Sequence, residues 1–116
     1  MKSVIIVDDE EDLTRSMSEY LSLMQVNVVD IAHDGKEAVE KFGIHKPNFM
    51  IVDLMMPNYD GFYVLEHIRK EDPEANIVIL TGDPSEKTQE RLKELNPNKI
   101  YLKPIDLDSL VNYIKN

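Results

Sequence analysis

Asp8, Asp9, Asp53, Thr81 and Lys103 are the residues of this 116-residue sequence whose types suit joint chemistry. Carboxylates brought close together raise one another's pKa unless a cation neutralises them. Lys103 supplies one positive charge, and a divalent ion is the natural second. Hard oxygen donors point to Mg²⁺, which keeps several waters and takes one or two carboxylates plus a phosphate group. A site with that ion, an ammonium, a hydroxyl and a central carboxylate is equipped for phosphoryl transfer, where positioning and charge neutralisation do most of the work. A carboxylate can itself attack phosphorus and form an acyl phosphate. Asp53 is the best nucleophile candidate, and the adjacent pair Asp8-Asp9 suits metal binding.

These residues can meet only if the chain brings them together. Apolar runs at residues 4–7, 26–32, 49–54, 77–80 and 100–102 read as strands. Several are continuous rather than alternating, as in a parallel sheet covered on both faces. Helical stripes lie between them: Leu13, Met17, Tyr20, Leu21 and Met24; Ala38, Val39 and Phe42; Phe62, Leu65 and Ile68; and Leu107, Leu110, Val111 and Ile114. A fourth helix, over about residues 85–95, has only Leu92 and Leu95 as apolar anchors. Asp34 with Glu37 reads as a capping box, Gly43 as a left-handed helix end, Asp83 as the cap before Pro84, and Asp106 as the cap of the last helix. Five strand–helix alternations predict an α/β fold with right-handed crossovers. Ligands then bind beyond the carboxyl ends of the strands, where all five candidate residues fall.

Composition narrows the classes. With 13 basic and 22 acidic residues the net charge is −9, which repels phosphate backbones and anionic membranes. There is no cysteine, hence no disulfide scaffold, thiolate metal site or cysteine nucleophile. His33, His45 and His67 fall outside the constellation and read as ordinary surface residues, so zinc is disfavoured. The four glycines are isolated, with neither a Walker loop nor a dinucleotide fingerprint, so ATP or GTP is not expected as the direct donor. No apolar run reaches the ~20 residues of a membrane span. One soluble, cytoplasmic domain over residues 1–116 is the expectation.

The run Val7-Asp8-Asp9-Glu10, the stretch from Asp53 through Met55, Pro57 and Gly61, the pair Thr81-Gly82 and the pair Lys103-Pro104 together resemble the receiver domain of two-component response regulators, the CheY-like family. The likeness covers essentially the whole chain in the right order. It implies a flavodoxin-like, doubly wound, five-stranded parallel sheet of order 2-1-3-4-5 with five helices. It implies that Asp53 accepts a phosphoryl group from a histidine on a sensor kinase or phosphotransfer protein. By the same likeness, Asp9, Asp53 and the backbone carbonyl of Met55 hold Mg²⁺, with Asp8 acting mainly through a water. Lys103 then pairs with a phosphoryl oxygen, Thr81 reports the group's presence, Gly82 leaves room for it, and Pro104 follows a cis peptide bond. Pro57 and Gly61 shape the loop after Asp53.

Two departures stand out. The family commonly has an aromatic residue three before the lysine, whereas here Ile100 occupies that place and Tyr101 follows it. Successive strand residues face opposite sides, so Tyr101 is not an ordinary substitute. Two positions known in the family to border the phosphoryl group hold Met55, whose side chain is expected to slow attack by water, and Asp83, which serves equally well as a helix cap. The leading reading is a phosphorylation-driven switch that binds a downstream effector through the surface of the fourth helix, fifth strand and fifth helix. It would act on no substrate but its own aspartate. A phosphorylation-independent adaptor and a Mg²⁺-dependent phosphohydrolase are the competing readings. The hydrolase is disfavoured because Met55 stands where such enzymes carry a second aspartate.

Overall fold

The computed structural model describes residues 1–116. Strands and helices alternate as β1 (Ser3–Val7), α1 (Glu11–Leu23), β2 (Asn27–Ala32), α2 (Gly35–His45), β3 (Phe49–Asp53), α3 (Gly61–Glu71), β4 (Ile77–Thr81), α4 (Glu86–Leu95), β5 (Lys99–Leu102) and α5 (Leu107–Lys115). The five strands form one parallel sheet of order β2-β1-β3-β4-β5, as expected.

Every residue of β3 and β4 is buried, which accounts for their continuous apolar runs. Alternate residues feed two cores. Ile5, Val7, Met50, Val52, Ile77 and Ile79 pack with Phe42, Leu65, Ile68 and Leu92 from α2, α3 and α4. Val4, Ile6, Ile51 and Val78 pack on the other face with Leu21, Leu110 and Ile114 from α1 and α5. The sheet order reverses between β1 and β3, and a crevice at their carboxyl ends is the natural ligand site of such a fold. Register completes the placement. Val7 pairs with Val52, so Asp8 and Asp53 leave the sheet side by side. Thr81 pairs with Leu102, and the Lys103 N–H donates to the Thr81 carbonyl at 2.8 Å.

Local signals held at some helix ends and failed at others. The Asp34 carboxylate accepts from the Glu37 N–H, and Asp106 caps α5 through the N–H groups of Asp108 and Ser109. Gly43 does not end α2, however. The helix runs on to His45, and Lys46 takes the left-handed conformation at φ 44°, its N–H donating to the Phe42 carbonyl. Asp83 is not the cap of α4 either. Ser85 is, accepting from the Thr88 N–H, while Asp83 sits further back and holds Ser85 and Thr88. The stripe of α1 packs inward through Leu21, Met17 and Tyr20, but its ends at Leu13 and Met24 are exposed. Leu13 is 48% exposed, and Thr14 is buried because its hydroxyl is satisfied by the Glu11 carbonyl within the helix. α4 is the least anchored helix, with Leu92 its only buried residue.

Candidate functional site

Asp8 and Asp9 follow β1, Asp53 ends β3, and Lys103 follows β5; the fold brings all four to one edge. One carboxylate oxygen from each of Asp8, Asp9 and Asp53 lies within 4.8 Å of the others. Lys103 Nζ donates to Asp53 Oδ1 at 2.8 Å. Asp8 and Asp53 are buried, and Asp9 is exposed. The peptide bond between Lys103 and Pro104 is cis.

The electrostatics of this edge are those of a site short of positive charge. Burial pushes the Asp8 carboxyl up to about 6; the Asp53 charge adds to the rise, while the Glu10 N–H and Lys103 oppose it. Burial likewise raises Asp53 above the usual carboxylate range, with Asp9 and Glu10 adding to it and only Lys103 opposing. For Lys103 burial favours the neutral amine, but the hydrogen bond and charge of Asp53, helped by Asp8 and Glu10, hold its pKa above normal. One ammonium faces three carboxylates, and a hard divalent cation fits the remaining charge and the all-oxygen donor set. The Met55 carbonyl, two residues after Asp53 in the chain, accepts no hydrogen bond from the chain. The donor set therefore suits Mg²⁺ and gives zinc none of its preferred ligands.

The loop between β3 and α3 carries Met55, Pro57 and Asn58, the last at φ 68°. It is held at both ends by glycines. A Cβ on Gly61 would lie 2.8 Å from Leu54 Cα, and the Gly61 N–H donates to the Leu54 carbonyl. A Cβ on Gly35, at the start of α2, would lie 2.8 Å from the Tyr59 carbonyl oxygen, to which the Gly35 N–H donates. Pro57 offers its carbonyl to the Tyr59 N–H, tightening the turn. Gly61 was legible as a shaping residue, whereas Gly35 was not, because its partner is distant in sequence. His33, read as an ordinary surface residue, is half-buried, and its Nδ1 lies 3.2 Å from the Asp8 carbonyl oxygen.

Thr81 is buried at the end of β4, and its Oγ1 accepts from the Asp83 N–H at 3.0 Å. A Cβ on Gly82 would meet nothing within 4 Å, so there is open space above it. Ile100 pairs with Ile79 and packs toward α2–α4, on the face of the sheet that Thr81 shares. Tyr101 faces the opposite core, and its hydroxyl donates to the Ser109 carbonyl. Met55 is 64% exposed. Beside Lys103, a groove between α1 and the segment entering α5 is lined by Leu13, Met17, Leu80, Pro104, Ile105 and Leu107. No helix is long and apolar enough to cross a membrane.

Residues 4–115 match the family described as the response regulator receiver domain. A curated relative, "Probable transcriptional regulator ycf27" of Cyanophora paradoxa, is 38% identical over 81 residues, which is 70% of this chain and 33% of that protein. The chain thus spans about a third of the length of the curated relatives it matches. Among solved structures, a DNA-binding response regulator of the LuxR family from Staphylococcus aureus superposes at TM-score 0.91 with 25% identity, covering 100% of both chains. The chemotaxis protein CheY4 of Vibrio cholerae superposes at 0.90 with 25% identity, covering 99% of this chain and 97% of that one. The CheX–CheY–BeF3–Mg²⁺ complex of Borrelia burgdorferi gives 0.88 with 25% identity over 96% of this chain and 84% of that one.

Proposed function

This chain belongs to the response regulator receiver domain family, and on that premise we propose that it is a phosphorylation-driven switch whose acceptor is Asp53. The observation that carries the reading is the buried Asp53 paired with Lys103 at 2.8 Å, with Asp8 and Asp9 oxygens within 4.8 Å. The donor is a phosphohistidine on a sensor kinase or phosphotransfer protein. An Asp53 oxygen attacks phosphorus as the N–P bond breaks, and the bonding pair returns to the imidazole. Asp9, Asp53 and the Met55 carbonyl would hold Mg²⁺, with Asp8 acting through a water, and the bound ion would offset charge on the phosphoryl oxygens.

Lys103 lies within reach of both Asp53 and an incoming phosphoryl oxygen, so it steadies the acceptor before transfer and the product after it. Thr81, on the neighbouring strand end, supplies a hydroxyl that can turn toward the new group. The chain acts on its own aspartate and turns over no external substrate. Its output is binding of an effector protein; a net charge of −9 disfavours direct contact with nucleic acid. The proposal places it in the cytoplasm as a single receiver unit, 1–116.

Incubation with acetyl phosphate and Mg²⁺ should add one phosphoryl group by intact mass, and Asp53→Asn should abolish it. Absence of uptake in the wild type would favour the adaptor reading instead. Met55 presents no hydrogen-bond donor to an attacking water, so Met55→Asn should shorten the lifetime of the phosphorylated form. An unchanged or longer lifetime would sink that role for Met55.

A further inference from the structure

Asp83 makes four hydrogen bonds, and they point in two directions. Its backbone N–H donates to Thr81 Oγ1 at 3.0 Å. Everything else it offers goes to α4. Oδ1 accepts from the Ser85 N–H at 2.9 Å, Oδ2 from the Thr88 hydroxyl at 2.6 Å, and the carbonyl from Gln89 Nε2 at 3.1 Å. The Thr88 hydroxyl above all, and then Ser85, hold the Asp83 carboxyl below the usual carboxylate range, the mark of an anion that is already satisfied. The helix it holds has little else. Leu92 is the only buried residue of α4, with Leu95 half-buried and the Arg91 guanidinium 3.8 Å from the centre of the Phe62 ring.

We infer that Asp83 is a positioning residue that parks the Thr81 hydroxyl and ties its position to the first two turns of α4. The inference rests on the proposed role of Asp53 and names how that site is read out. When Thr81 turns toward a group on Asp53, the half-buried Asp83 N–H loses its acceptor, and leaving it unpaired is costly. Asp83 then follows or repacks, and its three bonds to α4 shift with it. Gly82 lies between the two residues, and nothing packs within 4 Å of where its Cβ would be, so no side-chain contact there opposes a shift. This backbone route is short and needs no aromatic side chain, which suits a chain with Ile100 at that place and Tyr101 turned to the opposite face. A carboxylate engaged by α4 is also not directed at the phosphoryl group, so Asp83 acts through Thr81 and α4 and not by touching the reacting atoms.

The test is amide hydrogen exchange at Asp83, Thr88, Gln89 and Glu90 in the whole chain, with and without Mg²⁺ and beryllofluoride as the phosphoryl mimic. Loading the wild type should speed exchange at these amides by about tenfold, the scale of one charge-assisted hydrogen bond. Thr88→Val removes one donor and keeps the shape. Its unloaded form should already exchange within about twofold of the loaded wild type, and Asp83→Ala should do the same. Uptake of phosphoryl from acetyl phosphate by Thr88→Val should stay within about twofold of wild type, since the acceptor is untouched. A wild type that loads with no change at these amides overturns the inference, as does a Thr88→Val protein that keeps the wild-type difference. A wild type whose mass never changes with acetyl phosphate instead removes the premise concerning Asp53, and the inference falls with it.

Discussion

Two groups of acidic residues in this molecule have opposite electrostatics. On β2, Asp30 accepts from Lys41 Nζ at 3.0 Å, from His45 Nε2 at 2.9 Å and from the Ile31 N–H at 2.8 Å. Lys41 also reaches Glu37 at 2.8 Å. Burial would raise the Asp30 pKa, but the bonds from Lys41, Ile31 and His45 outweigh it and hold the carboxyl below its usual value. At the sheet edge, Asp8, Asp9 and Asp53 share one ammonium, and burial wins at Asp8 and Asp53. The chain satisfies Asp30 with its own hydrogen-bond donors and leaves the second group in deficit. A buried charge deficit marks a candidate site for a cationic ligand, whereas a carboxylate met by its own donors does not.

The largest break in that comparison should come at the deficit. Asp8→Asn should weaken Mg²⁺ binding by at least tenfold, the scale that even outer-shell changes reach in metal sites, as measured by calorimetry. Asp30→Asn should leave the affinity unchanged. Next, Mg²⁺ at about ten times its dissociation constant should stabilise the wild type by ~1.4 kcal/mol in denaturant titrations, and Asp53→Asn should lose most of that gain. Without metal, the two aspartates should respond in opposite directions. Asp8→Asn removes a poorly solvated charge and should stabilise by ~1 kcal/mol, whereas Asp30→Asn should destabilise by ~0.5–1 kcal/mol, as expected of a partly exposed ion pair.

The smallest effect is a pH slope. With a folded pKa of about 6, above the unfolded carboxylate value, Asp8 binds its proton more tightly in the folded state. Its contribution to stability should therefore grow as pH falls from 7 through about 6 toward 4, in chelator-treated protein only. Asp30, held below its usual value, gives stability that is present above the unfolded pKa and lost as pH falls through the folded one. Denaturant midpoints of Asp8→Asn and Asp30→Asn between pH 7 and pH 4 separate the two. Asp53, raised in the same direction, keeps part of the slope, so a wild-type slope left undiminished by Asp8→Asn would overturn the assignment.

Much of the site could be read before the fold was known, because each acidic or basic group follows an apolar run and apolar runs of this kind become buried parallel strands. Asp8, Asp9, Asp53, Thr81 and Lys103 each stand just past, or at the end of, such a run, and the parallel sheet then sends them to one edge. The caps at Asp34 and Asp106 were also legible, since a cap involves only residues two or three apart. The misread signals have a common cause. Whether Gly43 or Lys46 ends α2, and whether Leu13 or Thr14 faces inward, depends on what packs against the helix. Gly35 looks like an ordinary first residue of a helix until the loop at Tyr59 arrives within 2.8 Å of where its Cβ would be.

The order of residue types along the chain was thus enough to determine that five strands would alternate with five helices and that Asp8, Asp9, Asp53 and Lys103 would gather at the carboxyl ends. Only the tertiary structure decided that Asp53 pairs with Lys103 while Asp30 is neutralised within its own corner. It alone bound Asp83 to α4. Periodicity and capping are local, and a sequence carries them directly. Charge balance, burial and close approach depend on distances between segments tens of residues apart, and those distances do not exist until the chain has folded.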